Sequence, residues 1–157
     1  MQAPCPKVEV LIEIPKGSFL KRGSNGHIDF ISPFPCPFNY GCVPGYIGGE
    51  GDLLDAVVLG PRLPLWHRVT VPVRGAVGLS ERFMYDDKLI CSVEPLTPGQ
   101  RRRVLAFFHF YARCKDLLNK WRGRPGKAHC EGWDGAEAAL ARARPVPPDW
   151  QGPEVPF

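Results

Sequence analysis

No apolar run in the 157-residue chain approaches the roughly 20 residues needed to cross a bilayer, which argues against a membrane-spanning helix. Met1 to Lys7 hold two prolines and no apolar core, so no export is expected and the expected setting is the cytoplasm. None of the six cysteines, at positions 5, 36, 42, 91, 114 and 130, form a C-x-x-C pair, which argues against a zinc ribbon or a thioredoxin-like motif. Reduced, mostly buried thiols are the expectation, with a Cys36–Cys42 disulfide as the unsupported alternative. The phosphate-loop pattern G-x-x-x-x-G-K-[ST] is missing, and so is any internal repeat. A large charge excess is missing too: the net charge of +4 permits anionic ligands without demanding nucleic acid. The length fits one domain with a real core.

Proline and glycine, in contrast, are plentiful at 18 and 17 residues, and they divide the chain into short segments. Val8 to Ile14 alternates as a strand, with Val8, Val10, Ile12 and Ile14 on one face and Glu9, Leu11 and Glu13 on the other. Pro15 ends it, and His27 to Ile31 reads as a returning strand after a glycine-rich hairpin region. The stretch from Pro33 to Gly45 reads as a long irregular loop with interleaved aromatics. Ala56 to Leu59, Val69 to Val73 and Lys88 to Val93 read as further strands, with Gly75 and Gly78 marking bends. Thr97-Pro98-Gly99-Gln100 reads as a capping box opening a helix, whose apolar face carries Val104, Phe107, Phe108, Tyr111 and Leu118. Arg101, Arg102 and Arg103 sit in its first turn, where the helix dipole disfavours cations, and nothing local explains them. A second helix is expected from Asp134, with Glu137 completing another capping box, to Arg144. Short strands followed by two helices predict an α+β β-barrel domain over residues 1–144, with a proline-rich tail from 145 to 157.

Three carboxylates fall within Glu50-Gly51-Asp52-Leu53-Leu54-Asp55, and neighbouring glycines free the backbone to bring them together. Grouped anions repel unless a cation compensates, and a set of oxygen donors without His or Cys suits Mg²⁺ or Mn²⁺. A solvated acidic turn is the plainer reading of the same residues. Asp86-Asp87-Lys88 follows, with Asp86 and Lys88 on one face of a strand, fit for a metal and a phosphate oxygen or for a surface ion pair. Pro15-Lys16-Gly17-Ser18, Lys21 and Arg22 place cations near flexible backbone. Glu13, turned from the apolar side of its strand, is a candidate to join the metal set or simply to face solvent.

These pieces occur in a recognisable order. Ile12-Glu13-Ile14-Pro15-Lys16-Gly17-Ser18, Pro37-Phe38-Asn39-Tyr40-Gly41, Glu50 to Asp55, Asp86-Asp87-Lys88, Phe107 to Tyr111 and Glu131-Gly132-Trp133 resemble successive motifs of the soluble, family I inorganic pyrophosphatases. The resemblance implies an OB-like five-stranded barrel with two flanking C-terminal helices, assembly into a homo-oligomer, and Mg²⁺-dependent hydrolysis of inorganic diphosphate. It implies that Glu50, Asp55 and Asp86 hold the tightest metal and that Asp52 activates the attacking water. It further implies that Lys21, Lys88, Tyr40 and Tyr111 bind phosphate oxygens, Lys88 and Tyr40 joining Asp52 in catalysis, and that Glu13 assists an outer metal. Arg113 stands one place after the position of a family lysine, which is Ala112 here, and is counted with the substrate-binding set.

Other departures are Glu50 for the first signature Asp, Leu53 for a Pro, Gly23 for a Glu, and Cys36 for a Tyr. They predict weakened activity, each lost charge-assisted contact costing about 1.5–3 kcal/mol. Two alternatives stand beside the hydrolase: a degenerate relative that binds phosphate or nucleotide without efficient turnover, and a nucleic-acid-binding barrel using Phe34 and Phe38 as stacking platforms.

Overall fold

The computed structural model describes residues 5–22, 28–31, 35–49, 51–81, 84–121, 123 and 128–150, leaving aside the side chains of 20–22, 28–31, 81, 84, 85, 119 and 128. The elements run β1 (Lys7–Ile14), β2 (Leu20–Arg22), β3 (Ile28–Ile31), β4 (Asn39–Ile47), β5 (Leu53–Val58), β6 (Arg68–Glu81), β7 (Met84–Cys91), α1 (Pro98–Trp121), β8 (Ala128–Asp134), α2 (Ala136–Arg142) and β9 (Arg144–Pro145). Strands pair in the order β1-β4-β5-β7-β6, and β6 returns to β1, closing a five-stranded barrel. All these pairings are antiparallel except β5 with β7. β8 extends the sheet from β6, and β2 and β3 form a separate hairpin.

The barrel follows from alternation. Val8, Val10 and Ile12 of β1, Leu54, Ala56 and Val58 of β5, and Leu89 and Cys91 of β7 are buried in one cluster on the inner face. Ala136, Ala139 and Leu140 of α2 pack on that cluster. A second cluster lies on the outer face, where Phe38, Tyr40, Val57, Val77 and Ile90 meet Val104, Phe108 and Ala112 of α1. Phe38 is therefore buried, edge-on to Phe107 at 4.8 Å between centroids, and offers no open stacking platform. Phe34 lies outside the described residues.

Several expectations change. The stretch expected to be an irregular loop contains most of β4, which pairs with both β1 and β5. Pro44 is tolerated because the β4–β5 register shifts between Val43 and Ile47, where a missing N–H costs no ladder bond. The fourth predicted strand, at 69–73, is part of a longer one, β6, with irregular register at Val73/Gly75 and Gly78/Leu79. α2 begins at Ala136 with Gly135 as its cap and no side-chain capping bond. Asp134, expected to cap it, accepts from Gly135 N–H at 2.8 Å and from Arg142 at 2.7 Å. Arg144 and Pro145 are not helix end and free tail but a short strand, β9, on Tyr46 and Ile47. All six cysteines are free, so the Cys36–Cys42 disulfide is absent.

The capping box of α1 forms as read: Gln100 N–H donates to Thr97 Oγ1 at 3.1 Å, and Thr97 N–H to Gln100 Oε1 at 2.9 Å. One of the first-turn arginines gains a reason, because the Arg101 guanidinium lies over the Trp133 ring, 4.6 Å from its centroid. Trp133 in turn fills the space that a side chain at residue 75 would need, a Cβ there falling 2.3 Å from the ring. Gly75→Ala is expected to lower stability by about 1–3 kcal/mol, and Thr97→Ala by about 1 kcal/mol. Urea unfolding followed by circular dichroism measures both, and unchanged midpoints would show that neither contact holds the fold.

Candidate active site

The polar residues of the outer barrel face converge beyond the end of α1's apolar cover. Cys42 of β4 stands opposite Asp55 of β5, and Asp55 beside Lys88 of the parallel strand β7. Asp86, two residues before Lys88, shares its face. The Lys88 ammonium donates to Asp55 Oδ2 and, at 2.6 Å, to Asp86 Oδ2. Its side chain is only 3% exposed, so the two carboxylates meet in a largely dry place. Two oxygens that share one donor nitrogen lie no more than about 6 Å apart.

Tyr40 and Glu13 wall this place. Lys88 Nζ is 5.8 Å from the Tyr40 ring centroid. Burial first, and then the Asp55 charge, push the Tyr40 phenol well above its usual value, against the pull of Lys88; Tyr111 and Asp86 add to the rise. Glu13 is buried rather than solvent-facing. It is hydrogen-bonded to Cys42, whose thiol is pushed up by burial, then by Glu13, Asp55 and Asp52. One thiol thus senses three of the acids singled out in the sequence. Asp52 itself lies in the exposed β4–β5 turn, where its Oδ1 accepts from Leu53 N–H at 2.7 Å.

Asn39, beside Tyr40, holds the backbone here. Fully buried, it accepts from Lys16 N–H at 3.0 Å and Leu63 N–H at 2.9 Å, and donates to Pro61 O at 2.9 Å and Val58 O at 3.3 Å. That uses the whole capacity of the amide and stitches two loops to β4.

Asp55, Asp86, Lys88, Tyr40, Glu13, Asp52 and Tyr111 therefore fall in one region. Glu50 lies outside the described residues, and so does the side chain of Lys21, whose backbone belongs to β2. Arg113 is exposed and lies roughly 200° around the helix from Tyr111, on another side of α1. Among the described residues no three His, Cys, Asp or Glu side chains already stand together as a metal-binding group. Mg²⁺ does not require such a cage: it is held by one or two carboxylates and keeps several waters. Asp55 and Asp86, oxygen donors sharing one cation, fit that mode.

A family model described as inorganic pyrophosphatase matches residues 10–144. The chain belongs to the inorganic pyrophosphatase family. It is 31% identical over 168 residues to the inorganic pyrophosphatase of Gluconobacter oxydans, covering 87% of this chain and 91% of that protein. With that of Leifsonia xyli it shares 32% identity over 153 residues, covering 83% and 88%. The crystal structure of the Thermus thermophilus inorganic pyrophosphatase superposes with a TM-score of 0.68 at 25% identity, over 87% of this chain and 86% of that one.

Two features of the site escaped the motifs. Cys42 was legible only as a buried thiol, since its contact with Glu13 depends on β1–β4 pairing across nearly 30 residues. Asp87, between the two site residues of β7, points inward to Arg142 of α2, a pairing with no local signature. Lys88→Met leaves two mostly buried carboxylates without their cation and is expected to cost about 3–5 kcal/mol. Chemical unfolding with and without Mg²⁺ checks it: the ion should restore part of the loss in the variant and add less to the wild type.

Proposed function

We propose that this chain hydrolyses inorganic diphosphate to two phosphates in a Mg²⁺-dependent reaction, with Mn²⁺ as a substitute ion. The observation that carries the reading is the meeting of Asp55 and Asp86, from two separate strands, on the buried Lys88 ammonium beside Tyr40. Family membership supports the same reading.

In this reading Asp55 and Asp86, with Glu50, hold the ion, and Glu13 serves a more peripheral one. A bound ion supplies charge neutralisation at the phosphate oxygens and a lowered pKa for the attacking water. The protein's own groups do the rest. Lys88 Nζ, the Tyr40 and Tyr111 hydroxyls and, as the motif implies, Lys21 donate to phosphate oxygens. Tyr40 remains a donor across the neutral range because its phenol is held protonated. Asp52 takes the proton of the water, whose oxygen bonds to one phosphorus while the bridging P–O bond breaks and its electron pair leaves with the second phosphate. Arg113, turned from Tyr111, is dropped from the set. Ala112 in place of a family lysine, and Gly23 in place of a glutamate, support a rate below that of relatives that retain these groups.

Phosphate release from diphosphate, with and without Mg²⁺, tests this. Release should require the ion and fall at least tenfold in Asp55→Asn. Equal release by both proteins removes the proposal, and Mg²⁺-linked diphosphate binding without release selects the non-hydrolysing binder instead.

Among the described residues no helix is long and apolar enough to cross a membrane. A cytoplasmic homo-oligomer completes the reading. An apolar stripe on α1 supports self-association: Phe110, Leu117 and Trp121 are 50%, 66% and 85% exposed and recur on one side of the helix. An antiparallel copy about a two-fold axis sets Phe110 against Trp121 and Cys114 against Leu117, so the stripe complements itself. Leu117→Glu with Trp121→Glu should reduce the mass in sedimentation to that of one chain. An unchanged assembly would place the contact elsewhere.

A further inference from the structure

On the inner side of the same strand, Asp87 stands between Asp86 and Lys88 in the sequence and faces the opposite way. Its carboxylate is 5% exposed and accepts both arms of a guanidinium, Arg142 Nε at 3.0 Å and Nη2 at 2.8 Å. Arg142 Nη2 also donates to Asp134 Oδ2 at 2.7 Å, which fixes the plane of the fork. That hydrogen bond, and then the one from Gly135 N–H, hold the Asp134 carboxyl below its usual value. Arg142 is the last residue of α2, whose Ala139 is wholly buried on the inner core, so the base of the fork is as fixed as the barrel.

The ladder geometry shows where such a fixture matters. β5 pairs with β7 only from Lys88 to Cys91. Asp86 and Asp87 lie before that ladder begins and are held by β6 alone among the described strands, opposite Leu79 and Gly78. Gly78 offers no side chain to pack against Asp87, and the β6–β8 register is irregular next to it. A small rotation of β7 here would swing Asp86 relative to Lys88, which leaves the strand on the same face but is paired on both sides.

We propose that Arg142 is a positioning residue for the hydrolytic site: its fork on Asp87 sets the rotation of β7 ahead of its ladder with β5 and thereby aims Asp86, beside Lys88, at the ion. The inference rests on the diphosphatase reading above. A planar fork fixes orientation in a way that neither a point charge nor an apolar contact does.

Two variants separate aim from stability. Arg142→Lys keeps the charge and loses the fork. Asp87→Leu with Arg142→Leu replaces the pair by apolar groups, an exchange that often preserves or raises stability. Both are compared with wild type and Asp55→Asn for melting temperature, kcat and KM on diphosphate, and Mn²⁺ affinity by electron paramagnetic resonance without diphosphate. Arg142→Lys should lose about fivefold to tenfold in kcat and bind Mn²⁺ several-fold more weakly, with KM within twofold. The double-leucine variant should stay folded, melt near the wild type and lose at least tenfold in kcat. A purely structural role would lower the melting temperature and leave kcat and Mn²⁺ affinity of the folded protein unchanged. A folded double-leucine variant with kcat and Mn²⁺ affinity within twofold of wild type overturns the proposal. A wild type that releases no phosphate overturns the diphosphatase reading itself, a different result from an active wild type with indifferent variants.

Discussion

The ammonium of Lys88, sealed from solvent between Asp55 and Asp86, is the contact on which the rest of the molecule turns. Three charges have been withdrawn from water, and each is tolerable only while the others stand in place. Two carboxylates meet on the one ammonium, and Glu13 and Asp52 are close enough to act on the neighbouring Cys42 thiol. A hard dication entering such a place meets oxygen donors already partly stripped of water. The contact depends on topology, because it needs β5 and β7 side by side, and their parallel register sets Asp55 opposite Lys88.

The outer face of the barrel is graded along the strands. At one end Val57, Val77 and Ile90 are covered by α1, and at the other the charged groups gather. Tyr40 and Tyr111 sit at the seam, with apolar rings in the cluster under the helix and the Tyr40 phenol within reach of the charges. This is why burial and anionic charge both act on the Tyr40 phenol. On the inner face the buried carboxylate of Asp87 is answered by Arg142 of α2.

What could be read from the sequence was local. The alternation of β1 from Val8 to Ile12, the Thr97–Gln100 cap and the shared face of Asp86 and Lys88 each depend on residues a few places apart, and each stands in the structure; past Ile12 the register shifts, and Ile14, expected on the face of Val8, packs on the outer cluster instead. Read by itself, Asp86-Asp87-Lys88 suited a surface ion pair equally well; only the parallel register that brings Asp55 to Lys88 buries it, and no local pattern encodes a partner 33 residues away. β4 was hidden because Pro44 and two glycines punctuate it, although a strand flanked on both sides accepts a proline where its register shifts. The cap expected at Asp134 does not form: its two oxygens accept from Gly135 N–H and from Arg142 at the far end of the same helix. Family motifs ordered the acids along the chain, yet Glu50 and the Lys21 side chain fall outside the described residues.

The parallel pairing of β5 with β7 has a consequence for how the protein comes into being. Two strands that run in the same direction cannot be joined by a tight turn, and here β6 lies between them in the chain. A ribosome that has released the chain only as far as β6 has made Asp55 but not its cation. The acid must wait in water until β7 emerges, so the step that seals the barrel is also the step that first creates the pocket. Loop closure over that distance is slow compared with a hairpin, and barrel and pocket mature together or not at all.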